Sequence, residues 1–263
     1  MNKEFLDKNE WALILGGSSG LGLATAKKLA MHGLHIIIVH RNRKSELETI
    51  KKEFETITNS NVKLLSYNID LLKKEKREET LEDIKKIIKN GKIKTLIHSV
   101  AKGNLKAMVD DDRPLKNDDF HLTIDAMGIS LYDWTKSIFD FKMFATDARV
   151  ISFTSEGNTK AWKNYAAVSA AKVTLEAITR SIAIEFAPYG IKANCIQPGA
   201  VDTQSLRMIP GYKKIIAHSI ERNPFNRLTT PDDVANAVYL LCKDEAIWIN
   251  GCIIPVNGGE HLS

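Results

Sequence analysis

The chain has 263 residues, of which 44% are hydrophobic and 26% are charged. This composition is typical of a soluble globular protein with one large core, and it excludes disordered and collagen-like chains. No apolar run approaches the roughly 20 residues needed to cross a bilayer, so we expect no membrane partner. The net charge of +5 is the balance of 37 basic and 32 acidic residues, a mixed surface that does not indicate nucleic-acid binding.

The first ten residues are polar and charged, without an apolar or arginine-rich targeting pattern, which predicts a cytoplasmic protein. Three cysteines are far apart in the sequence and lie among apolar residues: Cys195, Cys242 and Cys252. Their odd number and wide spacing favour buried, reduced thiols over a disulfide framework or a zinc site. We therefore expect no metal.

Short apolar runs alternate along the chain with longer segments of helical period. Seven runs are predicted as strands: 11–15, 35–40, 62–67, 95–100, 149–154, 192–196 and 252–256. The segments between them are long enough for helices: 20–32, 44–58, 73–90, 117–144, 165–189 and 231–244. Because the strands are apolar on both faces, we expect a doubly wound α/β fold, with a parallel sheet between two layers of helices.

No repeat or flexible linker divides the chain, so we predict a single domain over residues 1–263. Residues 202–226 form a long connection between the sixth strand and the last helix. In this architecture that connection lies beyond the carboxyl ends of the strands, where ligands bind. A segment of this length is often a substrate lid, which is what we expect here.

A glycine-rich loop follows the first strand, with glycines in the pattern G-x-x-x-G-x-G at Gly16, Gly20 and Gly22. Glycines allow a tight turn and a close approach to a pyrophosphate, whose charge is favoured at the amino end of the next helix. A tight turn without a ligand is the alternative. We expect this loop to bind a dinucleotide through Gly16, Ser18, Ser19, Gly20, Leu21 and Gly22.

The second strand ends at two arginines, Arg41 and Arg43, and no acidic residue precedes Glu46. An NAD site usually has an acid here for the ribose 2′-hydroxyl, whereas an NADP site uses arginine for the 2′-phosphate. This favours NADPH, although ordinary exposed arginines are the alternative. After the third strand, Asp70 is predicted either to accept from the adenine amino group or to cap the next helix.

Several motifs occur together as they do in one enzyme family. They are the glycine loop, Asp70, a Ser-Tyr-Lys segment, His98-Ser99-Val100-Ala101, Gln197-Pro198-Gly199 and Val256-Asn257-Gly258-Gly259. In these motifs nearly the whole chain resembles the short-chain dehydrogenase/reductase family. The resemblance implies a seven-stranded Rossmann sheet, a homotetramer, and cofactor contacts from Leu71, Ser99, Ala101, Pro198, Gly199, Val201 and Thr203.

The spacing of Tyr165 and Lys172 departs from the usual Tyr-x-x-x-Lys of that family. The ordinary tyrosine position, four residues before the lysine, holds Val168. Seven residues of helix return to nearly the same face about 10.5 Å along the axis, against about 6 Å for four residues. The phenol hydroxyl is therefore expected to stay in the cleft, displaced by about one turn.

A displaced hydroxyl suits an α,β-unsaturated thioester, because hydride goes to the β-carbon while charge develops two atoms away, on the carbonyl oxygen. Tyr-x-x-x-x-x-x-Lys is also the signature of the enoyl-acyl-carrier-protein reductases in this family. The stretch from His98 to Ala101 and the aspartate Asp125, in place of a relay asparagine, are similar to theirs. Ser155 stands where many of them have a second tyrosine, and with the arginines this resembles the NADPH-dependent FabL type.

The resemblance implies a role for each catalytic residue. Lys172 binds the nicotinamide ribose and lowers the pKa of the Tyr165 phenol, Tyr165 hydrogen-bonds the thioester oxygen as enolate charge forms, and Ser155 assists. The alternatives are a packing role for Tyr165, a surface lysine at Lys172 and a strand-end cap at Ser155. Asp125 is alternatively a buried, hydrogen-bonded helix residue.

Three further residues are not assigned to catalysis. His98 is predicted to be a satisfied core imidazole, with a backbone contact near the cofactor as the alternative, and Trp134 is predicted to pack in a helix interface. Trp162 either packs beside Tyr165 or lines an acyl channel. The leading hypothesis is an NADPH-dependent enoyl-thioester reductase acting on acyl carrier protein or coenzyme A substrates. A carbonyl reductase of the same fold and a non-catalytic dinucleotide sensor are the rivals.

Overall fold

The computed structural model describes residues 4–6 and 8–262. Parts of the polar start and of the predicted domain 1–263 lie outside the described residues. Within them, the predicted parallel sheet is confirmed: seven strands pair in parallel, in the order β3-β2-β1-β4-β5-β6-β7. The strands are β1 Glu10–Leu15, β2 His35–His40, β3 Leu64–Asn68, β4 Lys92–His98, β5 Phe144–Phe153, β6 Ile191–Pro198 and β7 Ile253–Val256.

Helices cover both faces of the sheet. They are α1 Gly20–Met31, α2 Leu47–Thr58, α3 Lys74–Ile88, α4 Asn117–Ile124, α5 Ser130–Asp140, α6 Ala166–Glu185, α7 Gln204–Arg207, α8 Tyr212–Arg222 and α9 Pro231–Cys242. Alternate strand residues point to opposite faces, so Leu13 packs with α3, α5 and α6 while Ile14 packs with α1, α2 and α9. Two apolar cores therefore hold the sheet in a fixed position beneath the loops at its carboxyl edge.

The predicted helix over residues 117–144 is wrong as one continuous element. A π-helical turn, Asp125–Ile129, separates α4 from α5, and Phe144 already belongs to β5. At this turn Gly128 packs against α6, where an added Cβ would lie 3.0 Å from Thr174 Cγ2. The extra residue of a π turn shifts the side chains that follow it, an effect that helical periodicity does not reveal.

The long connection after β6 contains α7 and α8, which lie at the carboxyl edge of the sheet. Cys195 and Cys242 are buried as predicted, but the prediction is wrong for Cys252, which is exposed. Cys252 directly precedes the edge strand β7, where no further strand covers it. Among the described residues, no helix is long and apolar enough to span a bilayer. The same residues contain no group of three or more potential metal ligands.

Candidate active site

The glycine loop joins β1 to α1 in a turn that requires glycine at two positions. Gly16 has φ of +81° and donates its N–H to the carbonyl of Val39 at 2.8 Å. A Cβ on Gly16 would overlap the carbonyl oxygen of Ser99, and one on Gly22 would overlap the carbonyl oxygen of Gly16. The two glycines therefore allow α1 to start directly against the loop.

The amino end of α1 is free to bind an anion. Ser19 is the N-cap residue, but its side chain makes no capping hydrogen bond, and the first turn carries no acidic residue. The first N–H groups of a helix lack partners within the helix and carry partial positive charge. This end faces a cleft of about 930 Å³ whose lining includes Ser18, Ser19, Gly20 and Leu21, so the residues present fit the pyrophosphate of a dinucleotide.

The cleft brings together most of the residues predicted to bind the cofactor. Its lining includes Gly16, Ser18, Ser19, Gly20, Leu21, Arg41, Arg43, Leu71, Ser99, Ala101 and Thr203, together with Ser155, Tyr165 and Lys172. Pro198, Gly199 and Val201 line a second, adjoining pocket instead. Gly22, which packs against Gly16, and Asp70, which pairs with Arg41, are not among the residues that line the cleft.

Arg41 and Asp70 form an ion pair at the end of β2, with Nη1 and Oδ2 2.6 Å apart. Asp70 also accepts from the backbone N–H of Leu72 at 3.2 Å. The N-cap of α3 is Lys73, so the structure does not assign Asp70 the predicted capping role. The arginine side chain is 60% exposed, which leaves its other nitrogen atoms accessible from the cleft.

A chain of hydrogen bonds organises the loop that carries both arginines. Glu46 accepts from the backbone N–H of Arg43 and from Asn42 Nδ2, both at 3.0 Å. Asn42 Oδ1 in turn lies 2.9 Å from Nδ1 of the buried His40. The sequence analysis missed His40 and Asn42, although His40 ends the second strand and Asn42 lies between the two arginines, which places both next to any bound ribose.

Tyr165 lies at the N-cap position of α6 and is 8% exposed. Its hydroxyl donates to Ser155 Oγ at 3.3 Å. Burial raises the pKa of this phenol, and the hydrogen bond to Ser155 opposes the shift. Ser155 also accepts from the backbone N–H of Gly157 at 3.1 Å, so it caps a short turn and contacts the tyrosine at once.

Lys172 is buried rather than at the surface, which excludes the surface-lysine alternative. Its Nζ donates to the carbonyl of Phe153 at 2.7 Å. Burial lowers the pKa of Lys172 to about 8, with Cys195 and Glu176 acting in the opposite direction. Burial is the dominant cause at Tyr165 and raises the pKa of its phenol; that Lys172 lowers this pKa stays a prediction.

A buried carboxylate, Glu176, lies one helical turn beyond Lys172 and is 7% exposed. It accepts hydrogen bonds from Thr154 Oγ1 and Asn158 Nδ2. These two donors flank Ser155 in sequence, so Glu176 fixes the loop that positions this serine. The sequence analysis missed it; an acidic residue four positions after a buried lysine, between apolar neighbours, was the available signal.

An apolar pocket of about 210 Å³ adjoins the cleft, and Tyr165, Ser155 and Met127 line both. Trp162 lines this pocket, and its ring lies 5.3 Å from that of Tyr165. Val168, at the ordinary tyrosine position, forms part of the apolar wall. Further lining residues come from the connection after β6: Leu206, Met208, Ile209, Ile215 and Ser219.

Three singled-out residues lie outside both cavities. Asp125 is exposed, so the alternative of a buried, hydrogen-bonded residue is wrong. Asp125 begins the π turn, which directs its side chain away from the cleft.

His98 is buried, and its pKa is lowered to about 3 by burial and by Lys172. Its Nε2 lies 2.8 Å from Ser130 Oγ, but Nδ1 has no hydrogen-bond partner among the described residues. Trp134 packs between helix and sheet and donates to the carbonyl of Leu71 at 3.0 Å.

Comparisons with known proteins agree with this geometry. The family model described as enoyl-(acyl carrier protein) reductase matches residues 16–261. A probable 2,4-dienoyl-CoA reductase, (2E)-enoyl-CoA-producing, from Bacillus subtilis (strain 168) is 28% identical over 256 residues, 95% of this chain and 96% of the relative. The 3-oxoacyl-(acyl-carrier-protein) reductase FabG of Pseudomonas aeruginosa is 26% identical over 252 residues, 96% of this chain and 97% of the relative.

Among solved structures, FabI from Candidatus Liberibacter asiaticus superposes with a TM-score of 0.86 at 20% sequence identity, covering 100% of this chain and 98% of that chain. This likeness confirms the doubly wound fold. The match to the family model extends from the first glycine of the loop to within two residues of the chain's end. The chain therefore belongs to the family that this model describes, a group within the short-chain dehydrogenase/reductase family of nicotinamide-dependent oxidoreductases.

Proposed function

We propose that the protein is an NADPH-dependent reductase of trans-2-enoyl thioesters carried by acyl carrier protein or coenzyme A. One observation carries the proposal. The Tyr165 hydroxyl, hydrogen-bonded to Ser155 at 3.3 Å, stands at the boundary between the dinucleotide cleft and the apolar pocket. The description of the family model and the name of the Bacillus subtilis relative support reduction of a carbon–carbon double bond.

Each residue of the site has a task in this reaction. Bound NADPH would supply hydride to the β-carbon of the substrate, and protonation of the α-carbon would then complete the saturated thioester. Tyr165 donates a hydrogen bond to the thioester oxygen, where enolate charge develops, and Ser155 supports that donor. Lys172 binds the nicotinamide ribose through its ammonium group. Val168 stands four residues before Lys172, where the family usually has its tyrosine, and makes that position apolar. This supports the binding of an acyl chain beside the cleft.

Two arginines at the end of β2 support NADPH over NADH, because both line the cleft. Replacing Arg41 by glutamate is expected to weaken NADPH binding at least about tenfold relative to NADH, through loss of a charge-assisted hydrogen bond to phosphate. Equilibrium titration with each dinucleotide measures this ratio. An unchanged ratio in Arg41→Glu would show that the 2′-phosphate is bound elsewhere.

The assay that tests the main proposal follows NADPH oxidation with crotonyl and longer enoyl thioesters beside 3-oxoacyl thioesters. We expect turnover of the enoyl substrates. Turnover of the 3-oxoacyl substrates alone would favour the rival carbonyl reductase. The Pseudomonas aeruginosa relative is the observation on the side of that rival. Turnover of neither class would favour a dinucleotide sensor.

The proposal extends to the substrate lid, the oligomeric state and the location of the protein. Residues 202–226 act as a substrate lid on a single domain, which is supported by the pocket-lining residues Leu206 and Ile215. We further propose that the protein works as a homotetramer, as its family membership implies, and that it is located in the cytoplasm. Light scattering of the purified protein tests the oligomeric state, and a monomeric mass would contradict it.

A further inference from the structure

The second lid helix, α8, ends at an arginine that contacts two other parts of the chain. Nη2 of Arg222 lies 2.9 and 3.0 Å from the two carboxylate oxygens of Glu156, and 2.9 Å from the backbone carbonyl oxygen of Glu260. The side chains of Arg222, Glu156 and Glu260 are 14%, 13% and 6% exposed. Partial burial and several charge-assisted hydrogen bonds distinguish this bridge from an ordinary surface ion pair.

The bridge joins the lid to the catalytic loop. Glu156 directly follows Ser155 and begins the short turn that Ser155 caps. Glu260 accepts from the backbone N–H of Ala200 at 3.3 Å, just after β6. Both carboxylates line the apolar pocket. Glu156 pairs with Lys160 as well as with Arg222, whereas Glu260 has Arg222 as its ion-pair partner at 3.8 Å. One guanidinium therefore connects α8, the loop that carries Ser155, and the far wall of the pocket.

Apolar packing holds α8 at few points: Ser219 is its one fully buried residue, and Ile215 is partly buried against the cluster around Tyr165. Ile215 and Ser219 both line the pocket. They precede Arg222 by seven and three residues, so all three lie on one helical face. Fixing the last turn of α8 therefore fixes the positions of the two side chains that close the pocket.

We propose that Arg222 is a positioning residue that holds α8 over the apolar pocket and so sets the pocket wall formed by Ile215 and Ser219. Its effect on substrate rests on the proposed function, because it assumes that the pocket takes the acyl chain. Its effect on α8 does not, because the bridge exists within the chain itself. The two effects are therefore measured separately.

Hydrogen exchange of the amides in residues 212–222 measures, without any substrate, how strongly α8 is protected from local opening. Arg222→Gln is expected to raise exchange there about tenfold or more, the equivalent of losing a charge-assisted hydrogen bond, while the sheet amides stay protected. Glu156→Gln removes the same bridge from its other side and is expected to give the same pattern. Arg227→Gln is the matched control, since Arg227 pairs with Asp233 and its side chain is 56% exposed.

Steady-state kinetics with enoyl thioesters measures the effect of Arg222 on substrate binding. Arg222→Gln is expected to raise KM about tenfold, with kcat within about threefold and the Kd for NADPH unchanged; Arg222→Lys restores part of the loss. Unchanged exchange in residues 212–222 would overturn the proposal. So would a rise spread equally over the whole chain, which indicates a general loss of stability. If no enoyl thioester is turned over, the proposed function fails while the exchange result still decides the role of Arg222.

Discussion

At the scale of single residues, burial decides the chemistry of the site. Tyr165, Lys172 and Glu176 are all buried near the carboxyl end of β5. Removal from water favours the neutral form of a phenol and of an amine alike. The tyrosine therefore enters the reaction as a protonated hydrogen-bond donor, and the lysine, with a pKa of about 8, is still mostly charged at neutral pH.

Loss of the Tyr165 hydroxyl is expected to remove the donor to the developing enolate. We predict that Tyr165→Phe lowers kcat/KM for an enoyl thioester by about 100-fold or more, the range for loss of an acid or an oxyanion donor. The Kd for NADPH should stay near the wild-type value. Tyr189→Phe is the control, because Tyr189 is 60% exposed and lines neither the cleft nor the apolar pocket. A near-wild-type rate for Tyr165→Phe would show that another group donates the hydrogen bond to the enolate oxygen.

The lowered pKa of Lys172 predicts a pH dependence of cofactor binding. With a pKa of about 8, the ammonium group loses its proton as pH rises through 8, well before a free lysine would. NADPH affinity of the free enzyme is therefore expected to fall as the pH rises above 8. Fluorescence titration from pH 6 to pH 10 measures it.

The control for this pH dependence is Lys172→Arg, whose guanidinium stays charged across the range. Its affinity is expected to be lower at neutral pH and to lack the decrease above pH 8. A decrease of the same size in both proteins would assign the titration to another group.

At the scale of elements, the glycine loop and the π turn bring helices close to the site. Gly22 lets α1 start against the carbonyl of Gly16, and Gly128 lets the π turn pack on α6. The π turn places Met127 between the cleft and the apolar pocket and leaves Asp125 exposed. Close backbone contacts at these two points therefore shape both cavities.

Replacing Gly22 by alanine would force α1 away from the loop, because the added Cβ would overlap the carbonyl oxygen of Gly16. We predict a loss of stability of about 1–3 kcal/mol, as for overpacking in a core, and at least about tenfold weaker NADPH binding. Urea denaturation and dinucleotide titration measure the two effects. Ala24→Ser, a small change on the half-buried side of the same helix, should leave both within error. Equal behaviour of the two variants would contradict this account of the loop.

At the scale of the whole molecule, a charge cluster at the opposite edge of the sheet joins three strands. Asp147 of β5 accepts from Lys94 of β4 at 2.9 Å, from Arg149 at 2.5 Å and from Lys192 of β6 at 2.6 Å. The side chains of Lys94 and Arg149 are 5% and 1% exposed. Burial opposes ionisation of Asp147, but the three cations outweigh it and hold its pKa well below the usual range.

Asp147→Asn leaves the buried Arg149 without its carboxylate partner, and it leaves Lys94 with the exposed Asp244 at 3.7 Å. The expected loss in free energy of unfolding is about 3 kcal/mol or more, the usual effect of removing one partner of a buried pair. Asp140→Asn is the control, since that carboxylate pairs with Lys136 on an exposed helix surface; about 0.5 kcal/mol or less is expected there. Urea denaturation compares them, and similar midpoints would show that the cluster contributes little.

Much of the fold follows from local pattern. Each of the seven predicted strands exists, because runs such as Ile36–Val39 are apolar on both faces and can be buried only inside a covered sheet. Element ends were less accurate. β5 begins at Phe144 rather than at 149, since Phe144 pairs with Ile93 across the sheet, and such a partner is distant in sequence.

The sequence by itself determined the fold class, the glycine loop and the spacing of Tyr165 and Lys172, because apolar period, glycine requirement and helical repeat all act between near neighbours in the chain. Three contacts were decided by the tertiary structure alone. They are the Arg41–Asp70 ion pair, the hydrogen bonds from the loop of Ser155 to Glu176, and the bridge from Arg222 of the lid to Glu156. Each of these contacts joins residues from separate elements. Their geometry and the resulting pKa shifts depend on the water that packing excludes, which is a property of the folded chain.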